Sequence, residues 1–335
     1  MIFRLTEKTF GGSLMHRIIR IAVGVVFAAS ATVALADNYP SRTIRWIVPY
    51  AAGGGSDTLA RMIAPEMSKR LGQPIVIENK PGAASAIAAA EVARSAPDGY
   101  TIFSADNGTL VYNPALYKKL AYSPKDFRPV SLIARSPLIL VVGPTSKEQS
   151  VKDLVAMIKA QPGKISHASA GPGSPHAMAM ELVKARLGLD MIHVPYRGGA
   201  PALQDVAAGQ IPMTMTDFSS AAGMIASGKI RALAFANDKR MPQLPDLPTF
   251  DELGYPGVYA EAFAGVVVPA KTPDDVVAKL EKAVSESVND PAIKARLIEI
   301  GQEPVGGTAA QFTAVLDREV PRWHKLIKEL NMTLD

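Results

Sequence analysis

The chain predicts an α/β fold built on parallel strands. Strand-like runs alternate with helix-like patterns along most of the sequence. Glycine-rich turns stand at the ends of two of those strands, where parallel sheets with helical crossovers place their ligand sites. The chain contains no cysteine, and its length supports cores without disulfides.

The elements follow in order. Residues 43–49 (TIRWIVP) read as a strand, and 58–71 as a helix with Pro65 as a possible kink. Residues 75–78 form a second strand. An Ala-rich helix at 84–96 is stopped by Pro97-Asp98-Gly99, and 100–104 is a third strand. The run 138–142 (LILVV) is wholly apolar, as in a strand buried on both faces. Helices at 151–160, 176–187, 200–208 and 219–227 then alternate with strands at 165–169, 191–196, 211–216 and 232–236. Residues 262–269 (AFAGVVVP) are again apolar, and helices at 273–288, 291–300 and 309–330 close the chain.

Residues 1–36 read as an export signal, with a possible true start at Met15. A basic segment around Arg17 and Arg20 precedes an apolar stretch and the small-residue site Ala34-Leu35-Ala36. The alternative is a membrane anchor, but the run is short and rich in alanine. Cleavage leaves 335 − 36 = 299 residues. The formal charge of +5 includes Arg4, Lys8, Arg17 and Arg20 against Glu7, so the mature chain carries +5 − 3 = +2. That balance gives little reason to expect nucleic acid as a partner.

The first glycine turn is Pro49-Tyr50-Ala51-Ala52-Gly53-Gly54-Gly55-Ser56-Asp57, and the second is Ser169-Ala170-Gly171-Pro172-Gly173-Ser174-Pro175-His176. Each precedes a helix, so each presents backbone N–H groups suited to an anion. Ser56, Asp57, Ser174 and Asp217 read either as ligand contacts or as helix N-caps. Tyr196 either walls a cleft or packs a core, and Arg197 either meets a carboxylate or sits in a surface ion pair. Catalytic patterns are poor. The sequence has no G-x-S-x-G nucleophile elbow, no H-E-x-x-H, and no thiol. No catalytic residue, metal or cofactor is expected.

Several segments carry a resemblance. They include Tyr39-Pro40-Ser41-Arg42, Ile47-Val48-Pro49 with Gly53-Gly54-Gly55-Ser56-Asp57, and Glu78-Asn79-Lys80-Pro81-Gly82-Ala83. Ala96-Pro97-Asp98-Gly99-Tyr100-Thr101, His193-Val194-Pro195-Tyr196-Arg197-Gly198-Gly199-Ala200 and Gly301-Gln302-Glu303-Pro304-Val305-Gly306-Gly307-Thr308 extend it over the mature chain. The ordered set resembles the Bug proteins, the periplasmic solute receptors of the tripartite tricarboxylate transporter (TctC-like) family. The resemblance implies a two-lobed, type II Venus-flytrap fold with two crossover strands at the hinge. Lobe 1 is then 37–140 plus 263–335, and lobe 2 is 141–262. It further implies a monomer that clamps a small carboxylate and delivers it to a membrane permease. The solute classes implied are dicarboxylates, amino acids and aromatic acids. Presentation of the liganded receptor to a sensor kinase is the second reading, and a secreted hydrolase on the same fold the third.

The expected ligand-binding residues are Tyr50, Ala52, Gly53, Gly54, Ser56, Asp57, Asp106, Asn107, Ser169, Ala170, Gly173, Ser174, His176, Tyr196 and Asp217. Three places depart from the usual family pattern. Ala51-Ala52 stands where Pro-Pro is common, Ala84-Ser85-Ala86 replaces a Gly-Gly-Asn run, and Asp106 occupies a position often neutral. An acid there disfavours a second ligand carboxylate unless a cation or a proton compensates.

Overall fold

The computed structural model describes Met1 and residues 39–334; the expected leader and its cleavage site lie outside the described stretch. From Arg42 onward the chain packs as one unit. Its first strand, β1 (Ile44–Val48), buries Ile44, Trp46, Ile47 and Val48 completely. Helix α1 (Gly55–Leu71), strand β2 (Ile75–Asn79), helix α2 (Ala86–Ala93) and strand β3 (Thr101–Asp106) follow. β1 pairs in parallel with both β2 and β3, Trp46 standing opposite Ile77 and Ile102. A wide helical turn at Gly108–Tyr112 then runs into the short helix α3 (Asn113–Leu116).

Strand β4 (Phe127–Val142) is 16 residues long and joins two sheet halves. Beyond it come α4 (Val151–Ala160), β5 (Ser166–Ser169), α5 (Pro175–Leu187), β6 (Ile192–Pro195), α6 (Gly199–Ala207), β7 (Met213–Asp217), α7 (Phe218–Ala226) and β8 (Arg231–Phe235). The chain returns through β9 (Glu261–Pro269). It closes with α8 (Asp274–Val288), α9 (Pro291–Glu299), the two-residue β10 (Glu303–Pro304) and α10 (Ala309–Glu329). The strand order is β2-β1-β3-β9-β4-β7-β5-β6, with β8 and β10 also on β4. The first half of β4 pairs antiparallel with β9, from Phe127 opposite Pro269 to Pro137 opposite Glu261. Its second half pairs antiparallel with β7 and β8, starting at Leu138 opposite Asp217. β4 therefore carries the chain from one sheet half to the other, and the return path enters β9. This is the α/β architecture of a two-lobed binding protein with crossing strands at the hinge.

The first half of β4 and the helical turn after β3 are absent from the sequence reading. Pro129, Ser131, Arg135, Ser136 and Pro137 break the apolar pattern there. The strand accommodates the prolines with register shifts against β9 between Pro129 and Ser131 and between Leu132 and Ala134. The Ala-rich helix is also shorter than its composition suggests. Ala83, Ala84 and Ser85 precede it with φ of 45°, 43° and 78°. That left-handed region costs an L-residue about 1–2 kcal/mol. Ala83 is exposed whereas Ala84 is buried. Ala83→Gly is expected to raise unfolding free energy by about 0.5–1 kcal/mol, after the entropy glycine adds to the unfolded chain. At Ala84 the same change also removes a buried methyl group and yields little. Urea unfolding of both variants checks this, and equal effects would contradict it.

Candidate functional site

β1 ends at Val48, and residues 50–54 turn the chain into α1. The side chain of Asp57 ties that turn together. It accepts from the Gly53 N–H at 2.9 Å, the Asn79 amide at 2.9 Å and the Arg61 guanidinium at 2.9 Å. Burial pushes its carboxyl up, but these bonds outweigh burial and hold it below the usual range. The first-turn N–H groups of α1 have no intrahelical partner, and Gly54, Gly55 and Ser56 line a cavity. Tyr50, in the same turn, donates its hydroxyl to Asp106 at the end of β3, at 2.6 Å. Asp106 also accepts from the Thr109 N–H at 2.9 Å and the Thr109 hydroxyl at 3.0 Å. Burial dominates, and its carboxyl lies above the ordinary value. Asn107, next to it, is tied to β9: its amide donates to the Glu261 carbonyl and its oxygen accepts from the Phe263 N–H at 2.8 Å.

The other sheet half supplies the opposite wall. Asp217 ends β7 and caps α7, accepting from the Ser220 N–H at 2.9 Å and from the hydroxyls of Ser219 and Ser220. His176, in the first turn of α5, places Nε2 3.4 Å from Asp217 Oδ2. Burial alone would raise the Asp217 carboxyl. His176 and the serine bonds reverse that and bring it down to about 2. Ser174 caps α5 by accepting from the Ala177 N–H at 3.2 Å. Behind the turn, Ser169 Oγ lies 2.6 Å from His193 Nε2, and the ring of His193 stacks on His167 with centroids 4.9 Å apart. Burial, then His193, push the His167 ring down to about 3, so it is neutral at ordinary pH.

The two halves meet closely. A Cβ built on Gly55 would stand 2.7 Å from Asp217 Oδ1, and one on Gly198 would stand 3.0 Å from the Ala51 nitrogen. The Ala51 N–H donates to the Arg197 carbonyl at 3.3 Å. Between these contacts lies a cavity of about 60 Å³. Of the expected residues, it gathers Tyr50, Gly54, Ser56, Asp106, Ala170, His176 and Asp217. Ala52 and Gly53 are exposed, Gly53 facing Ala200. Asp57, Asn107, Ser169, Gly173 and Ser174 stand behind the wall or within the turns. Gly173 packs toward Asn113 and Leu116. Tyr196 and Arg197 instead line a second cavity of about 50 Å³ with Gly82, Ala83 and Ala84; Tyr50 and Ala170 border both. The Tyr196 hydroxyl donates to Asp205 at 2.5 Å, and burial with that contact pushes it up to about 12.

Sequence reasoning missed part of the site. Gly55, Gly199, Ser136 and Ala262–Ala264 also line the main cavity. Gly199 begins α6, so a further helix N-terminus faces the first turn. Gly198-Gly199 at a strand end was the available signal. The apolar crossing at 262–269 signalled a hinge but not that its start is the cavity floor.

Helix N-termini from both halves of a hinged sheet, facing across a small cavity on the crossing strands, define a solute-binding receptor. Residues 59–332 match the Tripartite tricarboxylate transporter family receptor (TctC) family, and the chain belongs to it. Members of this family are periplasmic receptors. Protein BugT of Bordetella pertussis is 33% identical over 94% of this chain and 98% of its own. The periplasmic binding protein BugD superposes with a TM-score of 0.85 at 34% identity, over 88% of this chain and 99% of that one. A Rhodopseudomonas palustris protein solved with adipate gives 0.85 at 34% identity, over 88% and 99%. MatC from the same species, solved with bound malate, gives 0.83 at 34% identity, over 86% and 100%.

Proposed function

We propose that this chain captures a small carboxylate-bearing solute in the periplasm, after export and cleavage near Ala36, and delivers it to a tripartite tricarboxylate-type permease. Lobe 1 is 37–140 plus 263–335, lobe 2 is 141–262, and the solute sits between them. The observation that carries this reading is the opposition of the α1 and α6 N-termini across the main cavity. Their first-turn N–H groups suit an anion without a lysine or arginine. The relatives solved with adipate and malate support the carboxylate class. Four or five donors at about 1.5–3 kcal/mol each reach the roughly 8 kcal/mol of micromolar binding. Arg197, exposed beside the second cavity, is not needed for this. The receptor acts by binding and performs no chemistry.

A thermal-shift screen of mono- and dicarboxylates tests the reading. A solute at 100 times its Kd stabilises the folded chain by about 2.7 kcal/mol, a shift of several degrees. Absence of any shift across the panel at millimolar concentration would contradict it.

A further inference from the structure

Resting on the reading of the main cavity as a carboxylate site, we propose that Tyr50 and Asp106 select a monocarboxylate whose other end is an N–H donor. That end is an ammonium or a carboxamide, and the pair discriminates against dicarboxylates. Both side chains are buried, and both line the cavity. The Tyr50 hydroxyl donates to Asp106 Oδ2 at 2.6 Å, so its only proton is spent. What the phenol oxygen offers a third group is lone pairs. Asp106 Oδ1 is filled by the Thr109 N–H and hydroxyl. Among the described residues, Tyr50 is the side chain that donates to Oδ2, which keeps accepting capacity. This wall of the cavity therefore accepts hydrogen bonds and donates none.

A second carboxylate placed there meets acceptors and a buried acid of its own sign. No lysine or arginine is among the described residues that line the cavity. His176 is the one basic side chain among them, and it is engaged with Asp217 at 3.4 Å. An ammonium or carboxamide instead donates to the Tyr50 oxygen and to Asp106 Oδ2, while the carboxylate at the ligand's other end takes the α1 turn with Ser56. Burial holds the Asp106 carboxyl above its ordinary value, and no lysine or arginine is among the described residues that line the cavity beside it.

Replacing Asp106 with asparagine reverses the polarity of the wall. The asparagine oxygen keeps the Thr109 bonds. Its NH₂ takes the Oδ2 position, donates to the Tyr50 oxygen and releases the phenol proton toward the cavity. The wall then presents donors.

The test is calorimetry at pH 7 with three matched series: succinate, glutarate and adipate; their monoamides; and the ω-amino acids of equal length. The parent receptor is expected to bind the best monoamide or ω-amino acid at least tenfold more tightly than the dicarboxylate of the same length. Asp106→Asn is expected to bring that ratio below one. Tyr50→Phe, which deletes the phenol acceptor and leaves Asp106 charged, is expected to lower it several-fold without reversing it. A parent that binds a dicarboxylate as tightly as both matched partners overturns the proposal and leaves the receptor reading intact. A ratio unchanged in both variants, each melting cooperatively, also overturns it. Failure of every series to bind the parent, together with no thermal shift across the wider carboxylate panel, overturns the receptor reading itself.

Discussion

Gly55→Ala is expected to lower affinity for the captured solute at least tenfold, about 1.4 kcal/mol, with little change in the ligand-free chain. Gly55 is the first residue of α1, and its φ is outside the left-handed region. Alanine is the best helix former, so the helix itself accepts the change. Across the cleft, however, the new methyl carbon would lie 2.7 Å from Asp217 Oδ1 and 2.9 Å from its Cγ and Oδ2. That carboxylate has little freedom to retreat, because Ser219, Ser220 and His176 all hold it. The two halves must then stand further apart, and each donor at the cleft loses its reach. Gly223→Ala is the control: it lies within α7, outside the residues that line the cavity, and its added carbon meets nothing within 4 Å. Calorimetry with the solute giving the largest thermal shift checks the pair, and unfolding midpoints within about 0.5 kcal/mol of the parent confirm the fold. A Gly55→Ala receptor that binds like the parent contradicts cleft closure at this contact.

Asp217→Ala is expected to destabilise the folded chain by about 3 kcal/mol at pH 7. Loss of the α7 cap accounts for about 1 kcal/mol. The rest follows from the titration of the carboxyl. It titrates at about 2 when folded, against 3.8 ordinarily, a difference equivalent to about 2 kcal/mol. Because the folded value is the lower one, that contribution is complete above about pH 4 and is lost as pH falls toward 2. The gap between parent and variant should therefore narrow to about 1 kcal/mol at pH 2. Asp217→Asn keeps a capping oxygen and should show mainly the pH-dependent part. Urea unfolding at both pH values measures this. A gap of equal size at pH 7 and pH 2 contradicts the assignment.

Much of the architecture is written in local patterns. Ile44–Val48, the helix after the glycine turn and the alternation from Val151 to Phe235 follow from apolar spacing and punctuation by glycine and proline. The first half of β4 is not legible, because its partner β9 lies far along the chain and compensates for the prolines and polar residues that obscure it. The site divides the same way. Tyr50, Ser56, Asp106 and Asp217 stand at ends of strands or starts of helices, where a parallel sheet exposes them. Whether such a residue faces the cavity depends on distant partners. Asn79 and Arg61 draw Asp57 into the turn, and β9 occupies Asn107. Gly199 becomes part of the site because α6, carried by the same sheet half as His176, sets its N-terminus against the first glycine turn, with the Ala200 nitrogen 3.9 Å from a Cβ built on Gly54.

The measurement that bears most directly on the two-lobed clamp is small-angle X-ray scattering of the parent and Gly55→Ala, each with and without saturating carboxylate. The radius of gyration of the parent should contract on saturation, while that of Gly55→Ala should contract less or not at all. A parent whose radius is unchanged although calorimetry shows it saturated, or a variant that contracts as far as the parent, would contradict capture by closure of the α1 turn onto Asp217.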